Sequence, residues 1–196
     1  MDPARASKTL GWSSALCIIT TSTYAGIYWG MWAQAMSAND TAMEHGYGTN
    51  KLANGYQEPT QWFDTCGTGW DAFDTKMSVF IGFNAIWNTL MTIFSILLIM
   101  GGMNKMANML GSMGHAIGVW VTFALLITGA AILYTYEMNE CARSMERIDL
   151  SRDMTYSDAV CKLRNLWISQ LVVYCFYGCW VGALTRSSKV MLDNRN

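Results

Sequence analysis

Four long segments of the chain contain no Asp, Glu, Lys or Arg, and this pattern constrains the fold more than any other feature. They are residues 10–36, 77–104, 106–136 and 165–185, and each is longer than 20 residues. A helix that crosses the hydrocarbon core of a bilayer needs about 20 predominantly apolar residues. The sequence therefore predicts an all-α integral membrane protein, built as a bundle of four transmembrane helices.

The remaining composition agrees with a single membrane domain. Only 14% of the residues are charged and 52% are hydrophobic, whereas a soluble domain carries about 25% charged residues. This excludes a soluble enzyme fold, and the net charge of −1 provides no basic surface for nucleic acid. We predict a first span at 10–36, an outer loop at 37–76, a second span at 77–101, an inner loop at 102–110, a third helix at 111–148, a fourth helix at 155–186 and a tail at 187–196.

The distribution of Lys and Arg predicts the orientation. The two termini and the short loop between the second and third spans are net positive, whereas the two longer loops are net negative. By the positive-inside rule, both termini are expected on the cytoplasmic side of the plasma membrane or an endomembrane. The mitochondrial inner membrane is the alternative. Asn39 begins an N-glycosylation sequon, but its closeness to the first span leaves its use open.

The second long loop predicts an αα-hairpin that projects above the outer surface of the bilayer. Residues 137–147 continue the third span in helix-forming residues with no Gly or Pro. Thr155 and Asp158 have the spacing of a capping box, so the fourth helix is expected to begin near Tyr156, outside the membrane.

Cysteines in this hairpin predict a covalent link. Cys141 and Cys161 each lie ten residues from Ser151, so they would stand at equal height on facing helices. We therefore predict a Cys141–Cys161 disulfide, which would form in an oxidising compartment. Cys66 remains, and it is either buried, paired with another chain or the true partner of one of the other two.

Small residues recur at four-residue spacing on three of the predicted helices. Such rows let helix backbones approach closely in lipid, so they predict helix packing, against either a sister helix or another subunit. The rows comprise Ser22, Gly26 and Gly30 in the first helix, Gly114 and Gly118 in the third, and Gly178 and Gly182 in the fourth.

The second helix instead carries two amides, Asn84 and Asn88, one turn apart on one face. We interpret them as interhelical hydrogen-bonding groups within the bundle; the alternative is a polar lining for a pore. His115 is the only His in the four charge-free segments, and it is interpreted as an interfacial or packing residue. Because charged residues inside the spans are absent, proton-coupled transport is disfavoured.

Sulfur-containing side chains are numerous, but they predict no cofactor or metal. Methionines recur every third residue from 100 to 109 around the inner loop, and soft thioethers bind Cu(I). Their spacing drifts around a helix, so we favour apolar packing. Cys175 and Cys179 lie deep in an apolar helix and are interpreted as small hydrophobic residues rather than a redox pair.

Aromatic residues cluster around Cys66 in the first outer loop. Exposed aromatic side chains on an irregular loop mark a contact surface for a partner. Alternatively, they fold down onto the ends of the helices or the membrane interface. The residues are Trp62, Phe63, Trp70 and Phe73.

The layout resembles that of the claudin-type and MARVEL-type four-transmembrane (tetraspan) families. The resemblance rests on a long first outer loop, a short inner loop, a second outer loop and inward termini. Trp62 and Cys66 are similar to part of the first-loop motif of claudin-like proteins, whose second cysteine is missing here. The resemblance implies lateral assembly through the outer loops, or service as an auxiliary subunit.

Together these features predict a non-catalytic structural or assembly subunit of a larger membrane complex or lateral array. Its expected partners are the lipid bilayer and other membrane-protein subunits, identical or different, contacted through the outer loops and the small-residue rows. Two alternatives stay open: a pore for small solutes or ions, and an accessory subunit of a mitochondrial energy-transducing complex.

Overall fold

Four long helices dominate the fold. The computed structural model describes the backbone of residues 2–44, 60–134, 149–151 and 154–195, and the side chains of 2–33, 79–134 and 160–195. The helices are α1 (Pro3–Glu44), α2 (Thr60–Gly101), α3 (Lys105–Leu133) and α4 (Tyr156–Asp193). Two short antiparallel strands, β1 (Asp149–Ser151) and β2 (Met154–Thr155), precede α4.

Three of these helices contain segments long and apolar enough to cross a membrane: Val79–Gly101, Lys105–Leu133 and Val160–Asp193. Only 22–33% of the residues in their most apolar windows are buried, so most of the apolar surface points outward, as in Trp120 and Phe83. Lipid is the solvent that such a surface requires. The chain is therefore a helical, multi-pass membrane protein.

The helix α1 differs from these three, although residues 10–36 carry no charge. It is interrupted by Ser, Thr, Tyr and Gly, so its hydropathy falls below that of the other spans. A lack of charge and an apolar character are separate properties. Among the residues that the structure describes, three helices consequently have membrane-spanning character where the charge pattern predicts four.

The helices also extend further than the predicted spans. The break between α2 and α3 comprises only residues 102–104, whereas a loop was expected over 102–110. Asn104 explains the early start of α3, because its Oδ1 accepts a hydrogen bond of 2.9 Å from the backbone N–H of Met106 and caps the helix. Likewise α1 and α2 extend into the expected first outer loop, and α4 continues into the expected tail.

The predicted hairpin between the last two helices is described only in part. The helix α4 begins at Tyr156, directly after the predicted cap Thr155. The expected turn at 149–154 contains the β1–β2 pair, in which Asp149 lies opposite Thr155. Residues 137–147, which were expected to be helical, lie outside the described residues.

The chain divides into two compact units, and the first comprises Met1–Tyr28, Asn84–Leu125 and Gln170–Asn196. Its described residues include two apolar core clusters. One consists of Leu10, Cys17, Leu98 and Leu184, and the other consists of Met91, Tyr177 and Val181. Polar side chains lie among these clusters and form the candidate site described below.

The second unit comprises Trp29–Phe83 and Leu126–Ser169. In it Arg164 donates two hydrogen bonds, of 2.9 and 2.7 Å, to the carbonyl oxygen of Leu133, the last residue of α3. The guanidinium also lies 5.3 Å from the centre of the Tyr134 ring. A cation at the carboxyl end of a helix satisfies an orphan carbonyl and interacts favourably with the helix dipole, so Arg164 stabilises the end of α3.

Candidate functional site: a polar core in the first unit

One chain of hydrogen bonds connects three helices of the first unit. Tyr28 on α1 donates from its hydroxyl to Gln170 Oε1 on α4 over 2.8 Å. The Nε2 of Gln170 donates to Asn84 Oδ1 on α2 over 3.5 Å. All three side chains are buried, with exposures of 0%, 6% and 1%. Buried amides and hydroxyls are costly unless they are hydrogen-bonded, and here each supplies a partner for the next.

The neighbouring amide, Asn88, is held within its own helix. Its Nδ2 donates to the backbone carbonyl of Asn84 over 2.8 Å, and the backbone carbonyl of Asn88 accepts a hydrogen bond from the Thr92 hydroxyl. The Thr92 hydroxyl also lies 2.8 Å from that of Thr21 on α1. The polar stripe predicted on α2 therefore lies inside the bundle, where it contacts α1 and α4.

A second series of hydrogen bonds runs from α2 through α3 to α4. His115 Nδ1 lies 2.6 Å from the Tyr177 hydroxyl, and its Nε2 lies 3.3 Å from Ser95 Oγ. Ser95 donates its single hydroxyl hydrogen to the carbonyl of Met91 over 2.9 Å. Ser95 must therefore accept from Nε2–H of His115, which leaves Nδ1 to accept from Tyr177.

This tautomer determines what the second chain can do chemically. The hydroxyl hydrogen of Ser95 points to a backbone carbonyl, so His115 does not activate Ser95 as a nucleophile. Ser95 and His115 are both fully buried, with exposures of 0%. The arrangement connects α2, α3 and α4 through buried side chains.

A small cavity lies between these two series of hydrogen bonds. Its volume is about 30 Å³, and all four helices contribute to its wall. The polar lining comprises the side chains of Thr20, Thr21, Tyr24, Asn88, Thr122, Gln170, Tyr174 and Tyr177, and the remainder is Cys17, Met91, Val173 and Trp180. No charged side chain is among these lining residues, so the wall fits a small neutral molecule.

The small-residue rows divide into two kinds. On α3 both glycines are buried: a Cβ at Gly114 would overlap the ring of Phe94, and one at Gly118 would lie 2.7 Å from Met91 Cε. On α1 and α4, in contrast, a Cβ would meet no described atom within 4 Å. The open positions are Gly26, Gly30, Gly178 and Gly182, and Ser22 in the same row is exposed.

The predicted disulfide stays a prediction. Cys161 is a free and exposed thiol, 3.8 Å from the Asn165 amide nitrogen, and no disulfide is present in the part of the chain that the structure describes. Its predicted partner Cys141 lies outside the described residues. Cys175 and Cys179 are likewise exposed free thiols.

The remaining candidate residues are distributed over the helices. The helix α2 includes the four predicted partner-contact residues, whose side chains lie outside the described part of the structure: Trp62, Phe63, Trp70 and Phe73. The methionines at 100, 103, 106 and 109 are all exposed. Over the described residues, no three His, Cys, Asp or Glu side chains come together as a metal site.

The sequence pattern predicts Asn84 and Asn88 as polar groups of the bundle, but it does not predict the residues that complete the polar core, which are Gln170, Tyr28 and Tyr177. A signal existed for Gln170, because it is an amide within a charge-free segment, as Asn84 is. The two tyrosines carry no such signal, since Tyr in a span also occurs at the membrane interface.

Comparison with protein-family models, with curated proteins and with solved structures finds no match for the chain.

Proposed function

We propose that the chain is a non-catalytic subunit of a membrane assembly, which packs laterally against other membrane-protein subunits. The observation that carries the proposal is that no described atom packs against two of the rows of small residues. A Cβ added at Gly26 or Gly30 on α1, or at Gly178 or Gly182 on α4, would meet nothing within 4 Å. Since helices associate in lipid through close backbone approach at small residues, these two faces fit a neighbouring helix.

The α3 row illustrates how such a face is used in this protein. Gly114 and Gly118 allow α3 to lie directly against Phe94 and Met91 of α2. The rows on α1 and α4 have the same four-residue spacing but no such neighbour among the described residues. An equivalent contact with a second subunit would complete them.

The proposal includes α1 as a fourth span. Its hydroxyls bond to carbonyls of their own helix, as in Thr21 to Cys17 at 2.8 Å, Thr23 to Ile19 at 2.7 Å and Ser22 to Ile19 at 3.2 Å. Such internal bonding lowers the cost of placing Ser and Thr in lipid. With four spans, both termini lie on one side, and their Lys and Arg favour the cytoplasm.

In this topology the segment between α3 and α4 and the start of α2 lie on the outer side. We place a second contact surface there, formed by the aromatic cluster of Trp62, Phe63, Trp70 and Phe73. The layout is that of the claudin-type and MARVEL-type tetraspan proteins, which the chain resembles in organisation.

Native mass measurement with bulky substitutions tests the assembly proposal. Gly26→Leu and Gly178→Leu are expected to reduce the complex to a smaller species, because a large side chain would hold the neighbouring helix away. Ala116→Leu is the matched control, since Ala116 is exposed on α3 outside both rows. A wild-type protein that runs as a lone monomer in mild detergent contradicts the proposal, and so does a complex that both Leu variants leave intact.

One observation favours a second candidate, a pore for a small neutral solute: Asn88 lines the cavity between the helices. Flux into liposomes that contain the purified protein distinguishes the two functions. A pore predicts solute flux that Asn88→Leu abolishes, whereas the assembly function predicts the background rate of empty liposomes for both proteins.

A further inference from the structure

We propose that the cavity in the first unit is a binding site for internal water, and that this water joins the two hydrogen-bonded chains into one network. The inference goes beyond assembly, because it concerns the interior of the bundle rather than its open faces. A water molecule needs a polar cavity of roughly 10–15 Å³ and two to four polar partners. The cavity of about 30 Å³ satisfies the first condition with room for about one or two waters.

Asn88 supplies the strongest argument that a ligand binds there. The residue lines the cavity and is only 5% exposed. Its Nδ2 donates to the Asn84 carbonyl, but no side chain or backbone group of the described residues donates to its Oδ1. Amide oxygens inside a bundle usually have a partner, and this one belongs to a residue that lines the cavity, so a donor small enough to enter the cavity would satisfy it.

Two further groups of the lining match the remaining hydrogen-bonding positions of a water molecule. Gln170 uses one Nε2 hydrogen for Asn84 and retains a second. The Tyr177 oxygen donates its hydrogen to His115 and retains a lone pair. A water molecule can accept from Gln170 and donate to Asn88 Oδ1 and Tyr177 Oη. It thereby connects the Tyr28 chain to the His115 chain.

The rest of the lining determines what is excluded. Met91, Val173 and Trp180 line the apolar part of the wall, and no charged side chain is among the lining residues that the structure describes. An ion would therefore lack a counter-charge, and a larger solute would lack space. Neutral, water-sized molecules with both donor and acceptor capacity fit best.

Hydroxyl-radical footprinting by X-ray pulses, on the full chain in lipid nanodiscs, tests the site. Radicals formed from a bound water oxidise the side chains next to it, even where bulk solvent has no access. Tyr177 and Tyr28 form a matched pair: both are buried tyrosines, but only Tyr177 lines the cavity. We expect oxidation of Tyr177 and Met91 to be several-fold faster than that of Tyr28.

Two variants link this signal to the cavity. Asn88→Leu keeps a similar side-chain volume but removes the polar partner, and Val173→Ile fills the cavity with one methylene while all polar groups remain. Each is expected to lower the oxidation rates of Met91 and Tyr177 several-fold without changing that of Tyr28. If Asn88→Leu does not fold, Val173→Ile decides alone. Equal rates at Tyr177 and Tyr28 in the wild type, or rates at Tyr177 that the filled cavity leaves unchanged, overturn the proposal.

Discussion

Replacing Gly114 by Ala should destabilise the bundle more than the same change at any other row position. The helices α2 and α3 approach so closely there that a methyl group would overlap Cγ, Cδ1 and Cδ2 of Phe94. Cγ, the nearest of these atoms, lies on the axis about which the ring turns, so rotation of the ring does not relieve the overlap. The two helices must separate, or Phe94 must leave its rotamer.

The same substitution at two other positions, Gly118 in the same row and Gly26 in the α1 row, provides graded comparisons. At Gly118 the nearest atoms are Cε and Sδ of Met91, at 2.7 and 2.8 Å, which form the flexible end of a side chain and can turn aside. At Gly26 nothing lies within 4 Å. The geometry therefore predicts that Gly→Ala lowers stability strongly at Gly114, weakly at Gly118 and not at all at Gly26.

Magnitudes follow from two opposing terms. Overpacking of a core costs roughly 1–3 kcal/mol, whereas Ala gains up to about 1 kcal/mol over Gly in helix propensity. We expect Gly114→Ala to lower the free energy of unfolding by about 1–2 kcal/mol. For Gly118→Ala the two terms nearly cancel, and Gly26→Ala gains up to about 1 kcal/mol in the monomer.

Reversible unfolding of the three variants in mixed detergent and SDS measures these differences. A cycle with Phe94→Ala supplies the control: once the ring is removed, Gly114→Ala should no longer be destabilising, so the two substitutions are strongly non-additive. The reasoning is refuted if Gly114→Ala is as stable as Gly26→Ala, or if its cost persists without the Phe94 ring.

Three further substitutions test the polar contacts. Tyr28→Phe removes the donor to Gln170 and should lower the free energy of unfolding by about 0.6–2 kcal/mol in the same assay. Tyr177→Phe removes the donor to His115 Nδ1; the nitrogen-15 shift of Nδ1 should move toward that of a free acceptor, while Nε2 stays protonated. Arg164→Met removes two hydrogen bonds to the last carbonyl of α3 and should speed amide hydrogen exchange in the last turn of α3. The expected fall in the free energy of local opening there is roughly 1 kcal/mol.

Each of these has an outcome that contradicts it. A Tyr28→Phe protein with wild-type stability would mean that Gln170 satisfies itself elsewhere. A wild-type spectrum with Nδ1 protonated would reverse the assigned tautomer of His115. Faster exchange throughout α3 after Arg164→Met, rather than in the last turn alone, would indicate a global loss of packing instead of a lost cap.

Much of the helical framework follows from local properties of the sequence. The absence of charge locates three membrane-spanning helices, and Thr155 stands directly before the first residue of α4. The ends of the other helices were less predictable. A charge-free run marks the part of a helix that suits lipid, but the backbone continues as a helix wherever residues such as those at 105–110 allow it.

The polar core was only half predictable for a different reason. Asn84 and Asn88 are separated by one helical turn, so their common face follows from helix geometry alone. Gln170 joins Asn84 from 86 residues away, and Tyr28 joins Gln170 from 142 residues away. Periodicity along one helix contains no information about which distant helix it meets.

The sequence by itself determined that the chain is a helical membrane protein, because the cost of placing charge in hydrocarbon leaves its mark on composition. It also determined which faces of the helices carry small or polar residues. Only the tertiary structure decided that the α3 row packs within the bundle while the α1 and α4 rows stay open. The reason is that spacing specifies a face of one helix, whereas packing depends on the volume and position of side chains on another, such as Phe94 and Met91.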